Sequence, residues 1–188
     1  MGIIYNKLIE NLVINNYETF VPMLTFNRSL VLSPEIFYFQ EFILQSLIRQ
    51  WLSKNANLQT FFNSCGLNNL KAKDFEVLGE KALPEGHIDV LIKDCIPKGY
   101  TRRIIIEVKL GNSKPQDIIQ LKNYINEIGE ECIGGILIAK DFSKKVHQKS
   151  KNKGINCFTY SFNQIDKVDK YSLKELKSNF KLTYQIFE

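Results

Sequence analysis

The sequence has few cysteines and no closely spaced pair of them. Its four cysteines stand far apart, with no C-x-x-C pair among 188 residues. This spacing argues against a zinc ribbon or an iron–sulfur site and favours reduced, mostly buried thiols. Long apolar runs are also missing, since none approaches the roughly 20 residues that span a bilayer. The first residues lack the pattern of a signal peptide, so we expect a cytoplasmic protein with no membrane partner.

The excess of positive over negative charge is small, but it is unevenly distributed along the sequence. The net charge is +5, with 44% hydrophobic and 24% charged residues, which is ordinary for one globular unit. Residues 101–188 hold 16 Lys/Arg and 10 Asp/Glu, a net of +6, whereas residues 1–100 hold 9 and 10, a net of −1. A basic half suits a polyanionic partner such as nucleic acid, although lysine-rich faces are more often merely solvated.

One long helix is predicted in the first half, over residues 33–54. Ser33 is a good N-cap and Pro34 suits the first turn. At about 100° per residue, Glu41 falls on the apolar flank of this helix, whereas Glu35 projects to the polar side. Residues 1–32 before it are predicted to form a helical N-terminal elaboration, and residues 163–188 a C-terminal extension that packs on a core spanning residues 33–162.

Strands and then alternating strands and helices follow. Strands are predicted at 75–79, 86–93, 102–110, 133–139 and 155–160, with a lysine-rich helix over 141–153. Ser113 and Gln116 match a capping box that opens another helix, with Ile118 and Leu121 on its inner face. The order is α-β-β-β-α-β-α-β. It predicts an α/β fold with a central mixed sheet flanked by helices, the first three strands antiparallel and the later ones parallel.

The triplet Glu107-Val108-Lys109 closes an isoleucine-rich strand. Because side chains alternate along a strand, Glu107 and Lys109 share one face and Val108 points to the other. Two charges at the end of a core strand are costly unless a metal ion or a phosphate uses them. Upstream, Gly86-His87-Ile88-Asp89 supplies another carboxylate, and downstream Gln120 and Tyr124 stand one helical turn apart.

Asp89 with Glu107 and Lys109 resembles the D…E-x-K signature of the PD-(D/E)xK nuclease superfamily. Gln120 to Tyr124 resembles the Q-x-x-x-Y motif of its RecB-like and NucS-like branches, and residues 134–139 resemble the next core strand of the NucS-type enzymes. Ile88 stands where the motif name has proline. The resemblance covers roughly residues 75–160 and implies a restriction-endonuclease-like core.

The resemblance implies hydrolysis of DNA with Mg²⁺, for which Mn²⁺ would substitute. Asp89 and Glu107 would hold the metal, with the Val108 carbonyl as a further ligand. Lys109, a compact charge whose pKa falls on desolvation, would position or help deprotonate the attacking water. Gln120 and Tyr124 would orient Lys109 or the substrate phosphate. A homodimer is compatible with cutting two strands.

Members of these branches often add a glutamate from the first core helix. Three candidates remain open here: Glu41, Glu35 and Glu80. We favour Glu41, because a carboxylate on an apolar flank needs a reason to be there, whereas Glu35 is explained by the helix dipole. Glu80 lies close to the strand of Asp89.

Each feature also has an ordinary explanation. The E-x-K triplet alone is frequent by chance, and Gln120 and Tyr124 are each compatible with a surface or core role. Four lysines on the helix over 141–153 are equally consistent with a DNA-backbone contact and a solvated face: Lys144, Lys145, Lys149 and Lys151. The competing functions are a catalytically inactive nucleic-acid-binding module, a ribonuclease and a purely structural domain. An intact charged triad argues against the inactive module.

Overall fold

The computed structural model describes residues 39–79, 81–83, 86–163 and 173–185. The predicted elaboration over residues 1–32 lies outside these ranges, and so do Ser33, Glu35 and Glu80. Among the helices that are described, none is both long and apolar enough to cross a membrane.

The described chain contains five α-helices and eight β-strands. The helices are α1 (Glu41–Leu52), α2 (Asn55–Ser64), α3 (Pro115–Ile128), α4 (Lys144–Asn152) and α5 (Leu173–Asn179). The strands are β1 (Phe75–Leu78), β2 (Lys81–Leu83), β3 (Gly86–Ile88), β4 (Val90–Asp94), β5 (Arg103–Val108), β6 (Cys132–Ala139), β7 (Ile155–Phe162) and β8 (Phe180–Tyr184).

Six strands form one mixed sheet in the order β1-β4-β5-β6-β7-β8, while β2 and β3 form a separate hairpin. The pairs β1/β4 and β4/β5 are antiparallel, β5/β6 and β6/β7 are parallel, and β8 returns antiparallel to β7. Helices α3 and α4 connect the parallel strands. This arrangement confirms the predicted fold class, an α/β core with a central mixed sheet flanked by helices.

Two apolar clusters lie on opposite faces of the sheet. One packs α1, α2 and α5 against a sheet face that includes Ile104, Ile106 and Val108 of β5. The other packs α3 and α4 against the face that includes Ile105. Strand alternation puts Glu107 on the same face as Ile105, at the end of the strand. The charged Glu107 thus follows the fully buried Ile105 on that face.

The segment predicted as one strand over residues 86–93 is two strands. Gly86–Ile88 pairs with Lys81–Leu83, whereas Val90–Asp94 pairs with β1 and β5. The break falls at Asp89, whose carboxylate accepts a hydrogen bond from the backbone N–H of Val108. A side chain that bonds to the neighbouring strand's backbone replaces one rung of the ladder, so the chain bends there.

The prediction of one helix over residues 33–54 is wrong at both ends, because α1 begins at Glu41, after the extended Gln40, and ends at Leu52. Helix α2, which was not predicted, follows after Ser53 and Lys54. The hydroxyl of Ser53 donates a hydrogen bond to the carbonyl of Arg49, and Lys54 is extended. Serine that bonds back to the preceding turn bends or ends helices.

The predicted capping box at Ser113 is wrong by one residue. Lys114 is the N-cap of α3, and its backbone N–H donates to the Asp117 carboxylate at 2.6 Å. Ser113 is instead buried, and its backbone N–H donates to the carbonyl of Asp141. Gln116 therefore occupies the second helical position, from which it cannot complete the box.

The described part of the C-terminal extension joins the sheet. Residues 173–179 form α5, and the following strand β8 pairs with β7 along its whole length, from Phe180 opposite Phe162 to Tyr184 opposite Phe158. Leu176 of α5 is fully buried in the cluster that contains α1. These residues thus cover an edge of the parallel part of the sheet.

Candidate active site

Asp89 and Glu107 meet because β4 and β5 run antiparallel. Val90 pairs with Ile106, so the residue before β4 lies beside the end of β5. The backbone N–H of Val108 donates a hydrogen bond of 2.7 Å to Oδ2 of Asp89. The two motifs, separate in sequence, therefore form one site at this edge of the sheet.

Glu107 and Lys109 form an ion pair inside that site. Glu107 is only 2% exposed, and its Oε1 lies 2.7 Å from Nζ of Lys109, which is half-buried. The other carboxylate oxygen, Oε2, is buried and has no hydrogen-bond partner in the described part of the protein. A buried, unsatisfied carboxylate oxygen costs free energy. This atom is the clearest local sign that the site is built to hold something further.

The two charges of this pair shift each other's pKa. Burial, followed by the negative charges of Asp89 and Glu41, raises the pKa of Glu107 to about 7 although Lys109 opposes the shift. Burial alone lowers the pKa of Lys109, but the hydrogen bond and the charge of Glu107 outweigh it and raise that pKa above its ordinary value. The fall in pKa that desolvation alone would cause in Lys109 is thus opposed by the neighbouring carboxylate.

Glu41 reaches the same edge from α1. It is the first residue of the helix, and its Oε2 accepts a hydrogen bond of 3.0 Å from the backbone N–H of Leu110. The negative charge of Glu41 also contributes to the raised pKa of Glu107. The apolar flank predicted for Glu41 thus faces the sheet, and of the three candidate glutamates it is the one within the described ranges.

Gln45 is a site residue that sequence reasoning missed. It lies one turn after Glu41 on α1, and its Nε2 donates a hydrogen bond of 2.8 Å to Oδ1 of Asp89. The signal that could have found it is the spacing Glu-x-x-x-Gln, which places both side chains on one face of a helix. An amide on an otherwise apolar flank is less conspicuous than a charge.

Gln120 and Tyr124 bond to each other. Nε2 of Gln120 donates to the Tyr124 hydroxyl at 2.9 Å. Tyr124 is 3% exposed, and a Cβ built on Gly86 would lie 2.4 Å from its hydroxyl oxygen. Gly86 has φ +149°, so glycine suits both the backbone and this close approach. In the described chain neither side chain bonds to Lys109, so the predicted contact with the lysine is not formed.

The residues of the site fit an oxygen-ligated divalent cation by their chemistry. Within the described ranges, no three His, Cys, Asp or Glu side chains lie close enough together to hold a metal ion as a ready-made cluster. Mg²⁺ needs fewer, because it is usually bound through one or two carboxylates and retains several waters. Asp89 and the unsatisfied oxygen of Glu107 meet that requirement.

The four predicted DNA-contacting lysines do not form one patch. Lys144 and Lys145 are exposed in the first turn of α4, whereas Lys151 lies near its end, about 10 Å further along at 1.5 Å per residue. Lys149 is partly buried. The backbone N–H of Lys140 donates to the carbonyl of Gly111, which holds the loop before α4 against the loop after β5. Lys144 and Lys145 are therefore at the same edge of the sheet as Glu107.

No protein-family model matches the chain, and no curated protein matches it. Three solved structures are similar to parts of it. EndoMS in a complex with double-stranded DNA is 25% identical, with a TM-score of 0.37, over 44% of this chain and 35% of that one. A repair endonuclease from Pyrococcus abyssi is 19% identical, with a TM-score of 0.41, over 66% and 48%. EndoMS in its apo form is 17% identical, with a TM-score of 0.34, over 55% and 44%. The chain thus matches less than half the length of each of these proteins.

Proposed function

We propose that the chain is a metal-dependent deoxyribonuclease that hydrolyses phosphodiester bonds of DNA, directed by DNA structure or DNA ends. The observation that carries the proposal is the buried Oε2 of Glu107, unpartnered among described residues and placed beside Lys109 and Asp89. A structural ion pair would satisfy both carboxylate oxygens, whereas a ligand site requires a free one.

The proposed ligands of Mg²⁺ are Asp89 and Glu107, with the Val108 carbonyl and Glu41 as further oxygen donors. When bound, Mg²⁺ would activate water and neutralise charge that develops on the phosphoryl group; Mn²⁺ would substitute for it. The protein's part is to hold these oxygens at one sheet edge. Backbone N–H groups hold two of these carboxylates in place: that of Val108 donates to Asp89, and that of Leu110 donates to Glu41.

Lys109 is the proposed electrostatic catalyst. It is held beside Glu107, and its raised pKa keeps it charged at neutral pH. A fixed ammonium suits stabilisation of the pentavalent phosphate and positioning of the attacking water better than removal of its proton. Gln120 is half-buried while Tyr124 is buried, so Gln120 is the member of that pair that can meet a phosphate and Tyr124 the one that orients it.

The proposed DNA-backbone contacts come first from Lys144 and Lys145. Both are exposed in the turn of α4 that lies at the edge of the active site. Each lysine that neutralises a phosphate adds a salt-dependent increment to affinity. Lys149 and Lys151 would contribute only to a duplex that continues along α4 toward the opposite edge of the sheet.

The test is cleavage of labelled single-stranded, duplex, flapped and branched DNA, with matched RNA, in Mg²⁺, Mn²⁺ or EDTA. Wild type is compared with Glu107→Ala and Lys109→Ala, and Glu127→Ala, an exposed glutamate of α3, is the matched control. We expect metal-dependent DNA cleavage that both active-site variants lose and the control retains.

Three other outcomes would replace the proposal. Cleavage of RNA alone would make the protein a ribonuclease. Binding of DNA without cleavage on any substrate, unchanged in Glu107→Ala and Lys109→Ala, would make it an inactive binding module. If the protein bound neither metal nor, in a salt-dependent way, nucleic acid, a structural domain would be the remaining explanation.

A further inference from the structure

Helix α1 contacts the site twice, through side chains one turn apart. Glu41 accepts a hydrogen bond from the backbone N–H of Leu110, beyond the end of β5. Gln45 donates to Oδ1 of Asp89, just before β4. Residues at i and i+4 lie on one helix face. Helix α1 therefore contacts both the backbone of Leu110, after β5, and the side chain of Asp89, before β4.

The carboxylate of Asp89 is gripped at both oxygens. Oδ1 receives the Gln45 amide at 2.8 Å, and Oδ2 receives the backbone N–H of Val108 at 2.7 Å. Two donors on different oxygens fix both the rotation and the plane of a carboxylate.

The chemistry of Gln45 suits a ligand-orienting role. An amide donates to Asp89 without bringing a positive charge that would compete with a divalent cation. Lysine or arginine at this position would neutralise Asp89, as Lys109 does for one oxygen of Glu107. Residues that hydrogen-bond to a metal ligand without touching the metal orient that ligand, and their loss typically weakens metal affinity or activity about 10–100-fold.

We propose that Gln45 is a positioning residue that sets the Asp89 carboxylate for metal binding in the active site. The proposal rests on the proposed nuclease function. The competing explanation is that Gln45 only anchors α1 to the sheet, which would affect stability and leave metal affinity unchanged. Measurements of metal affinity and stability therefore separate the two roles.

The experiment is a calorimetric titration of the full chain with Mn²⁺, alongside thermal melting without metal. Gln45→Met keeps the length and helix preference of the side chain but removes the donor. The matched control is Gln50→Met, an exposed glutamine of the same helix. We expect the Kd for Mn²⁺ to rise about 10–100-fold in Gln45→Met and to stay within about 2-fold in the control.

Further measurements decide between the explanations. Cleavage lost by Gln45→Met should largely return at saturating Mn²⁺, because the reacting groups are intact. Gln45→Ala removes volume as well as the donor, so it should show the same loss of affinity with a lower Tm. An unchanged Kd in both variants, with Tm lowered, would overturn the positioning role while leaving the nuclease proposal standing. Failure of the wild type itself to bind Mn²⁺ would overturn both.

Discussion

Two buried carboxylates on adjacent strands, Asp94 at the end of β4 and Glu107 at the end of β5, lie at opposite edges of the sheet. Asp94 is 5% exposed and Glu107 2%. Asp94 accepts from the Arg102 guanidinium and from its backbone N–H, and these bonds lower its pKa. Glu107 has one ammonium and two carboxylate neighbours, and its pKa is raised to about 7.

The difference is the one we expect between a structural carboxylate and the proposed ligand site. Both side chains are nearly inaccessible to solvent, but Glu107 lies deeper in the protein, and burial is the largest cause of its raised pKa. Asp94 uses both oxygens on a single arginine, in the bidentate geometry that gives strong, specific pairing. Glu107 keeps one buried oxygen without a partner in the described chain. Its neighbours, Asp89 and Glu41, add charge of the same sign, which Lys109 opposes without cancelling.

The largest expected effect is on catalysis, and only substitutions at the edge that contains Glu107 should produce it. We expect Glu107→Gln to lower cleavage by at least about 10³-fold, roughly 4 kcal/mol in the activation barrier, because it removes a charged metal ligand. Asp94→Asn should leave cleavage by the folded protein within about 3-fold. Single-turnover assays at equal folded concentration compare them. Similar losses in both variants would remove the proposed distinction between the two edges.

The second effect is on stability, at the other edge. Arg102→Ala leaves Asp94 buried beside an empty position, and breaking a fully buried pair costs about 3–5 kcal/mol. Because Arg102 is 35% exposed, we expect about 2–3 kcal/mol less free energy of unfolding, measured in urea. Lys93→Ala breaks the exposed pair with Glu76 and should cost less than about 1 kcal/mol. Equal costs for the two variants would show that Asp94 gains nothing from burial with Arg102.

The pH dependence of stability should have opposite signs at the two carboxylates. The pKa of Glu107 is higher in the folded protein, about 7 against an ordinary 4.5, so the folded state binds more protons between these values. Its contribution to the free energy of unfolding without metal therefore falls as pH rises from about 4.5 to 7. The lowered pKa of Asp94 gives stability that is present above its ordinary value of 3.8 and lost as pH falls through the folded pKa.

The measurement is metal-free urea unfolding between about pH 2 and 8, so that the range extends below the ordinary pKa of Asp94. We expect Glu107→Gln to be more stable than wild type at pH 8, by about 1–2 kcal/mol, because the amide carries no buried charge. The coupled Lys109 loses its partner in this variant, which keeps the gain below the full shift. A variant that is less stable than wild type at every pH would show that the Glu107–Lys109 pair is structural.

The sequence predicted the parts of the fold that depend on local pattern. Strand alternation placed Glu107 and Lys109 on one face, and the change from strands to alternating helices and strands predicted the antiparallel and parallel halves of the sheet. The apolar flank of α1 indicated that Glu41 faces the sheet, where it meets Leu110. These features follow from periodicities of 2 and 3.6 residues, which one chain carries by itself.

What the sequence could not predict depends on contacts and distances that exist only in the folded protein. Strand 86–93 is divided at Asp89 because its carboxylate bonds to Val108. The pKa of Lys109 is raised because a buried carboxylate stands at 2.7 Å, which outweighs the desolvation that alone would lower it. Gln45 acquires its role only through Asp89. Each depends on a distance in the folded protein. The spacing Glu-x-x-x-Gln puts Gln45 on the same helix face as Glu41, but it does not identify Asp89 as the partner of Gln45.

The smallest expected effect compares the lysines at the two ends of α4. We expect Lys144→Ala with Lys145→Ala to lower the slope of log affinity against log salt by up to about 2, one for each phosphate that is no longer neutralised. Lys151→Ala, near the far end of the helix, should change the slope less, because that end of α4 lies beside the start of β7 rather than beside Glu107.

Fluorescence anisotropy of labelled duplex DNA from about 50 to 200 mM salt measures both slopes in Ca²⁺, which occupies oxygen-ligand sites without the geometry that Mg²⁺ demands. A larger decrease in slope from Lys151→Ala would place the DNA along the opposite edge of the sheet, and the site around Glu107 would then be outside its path.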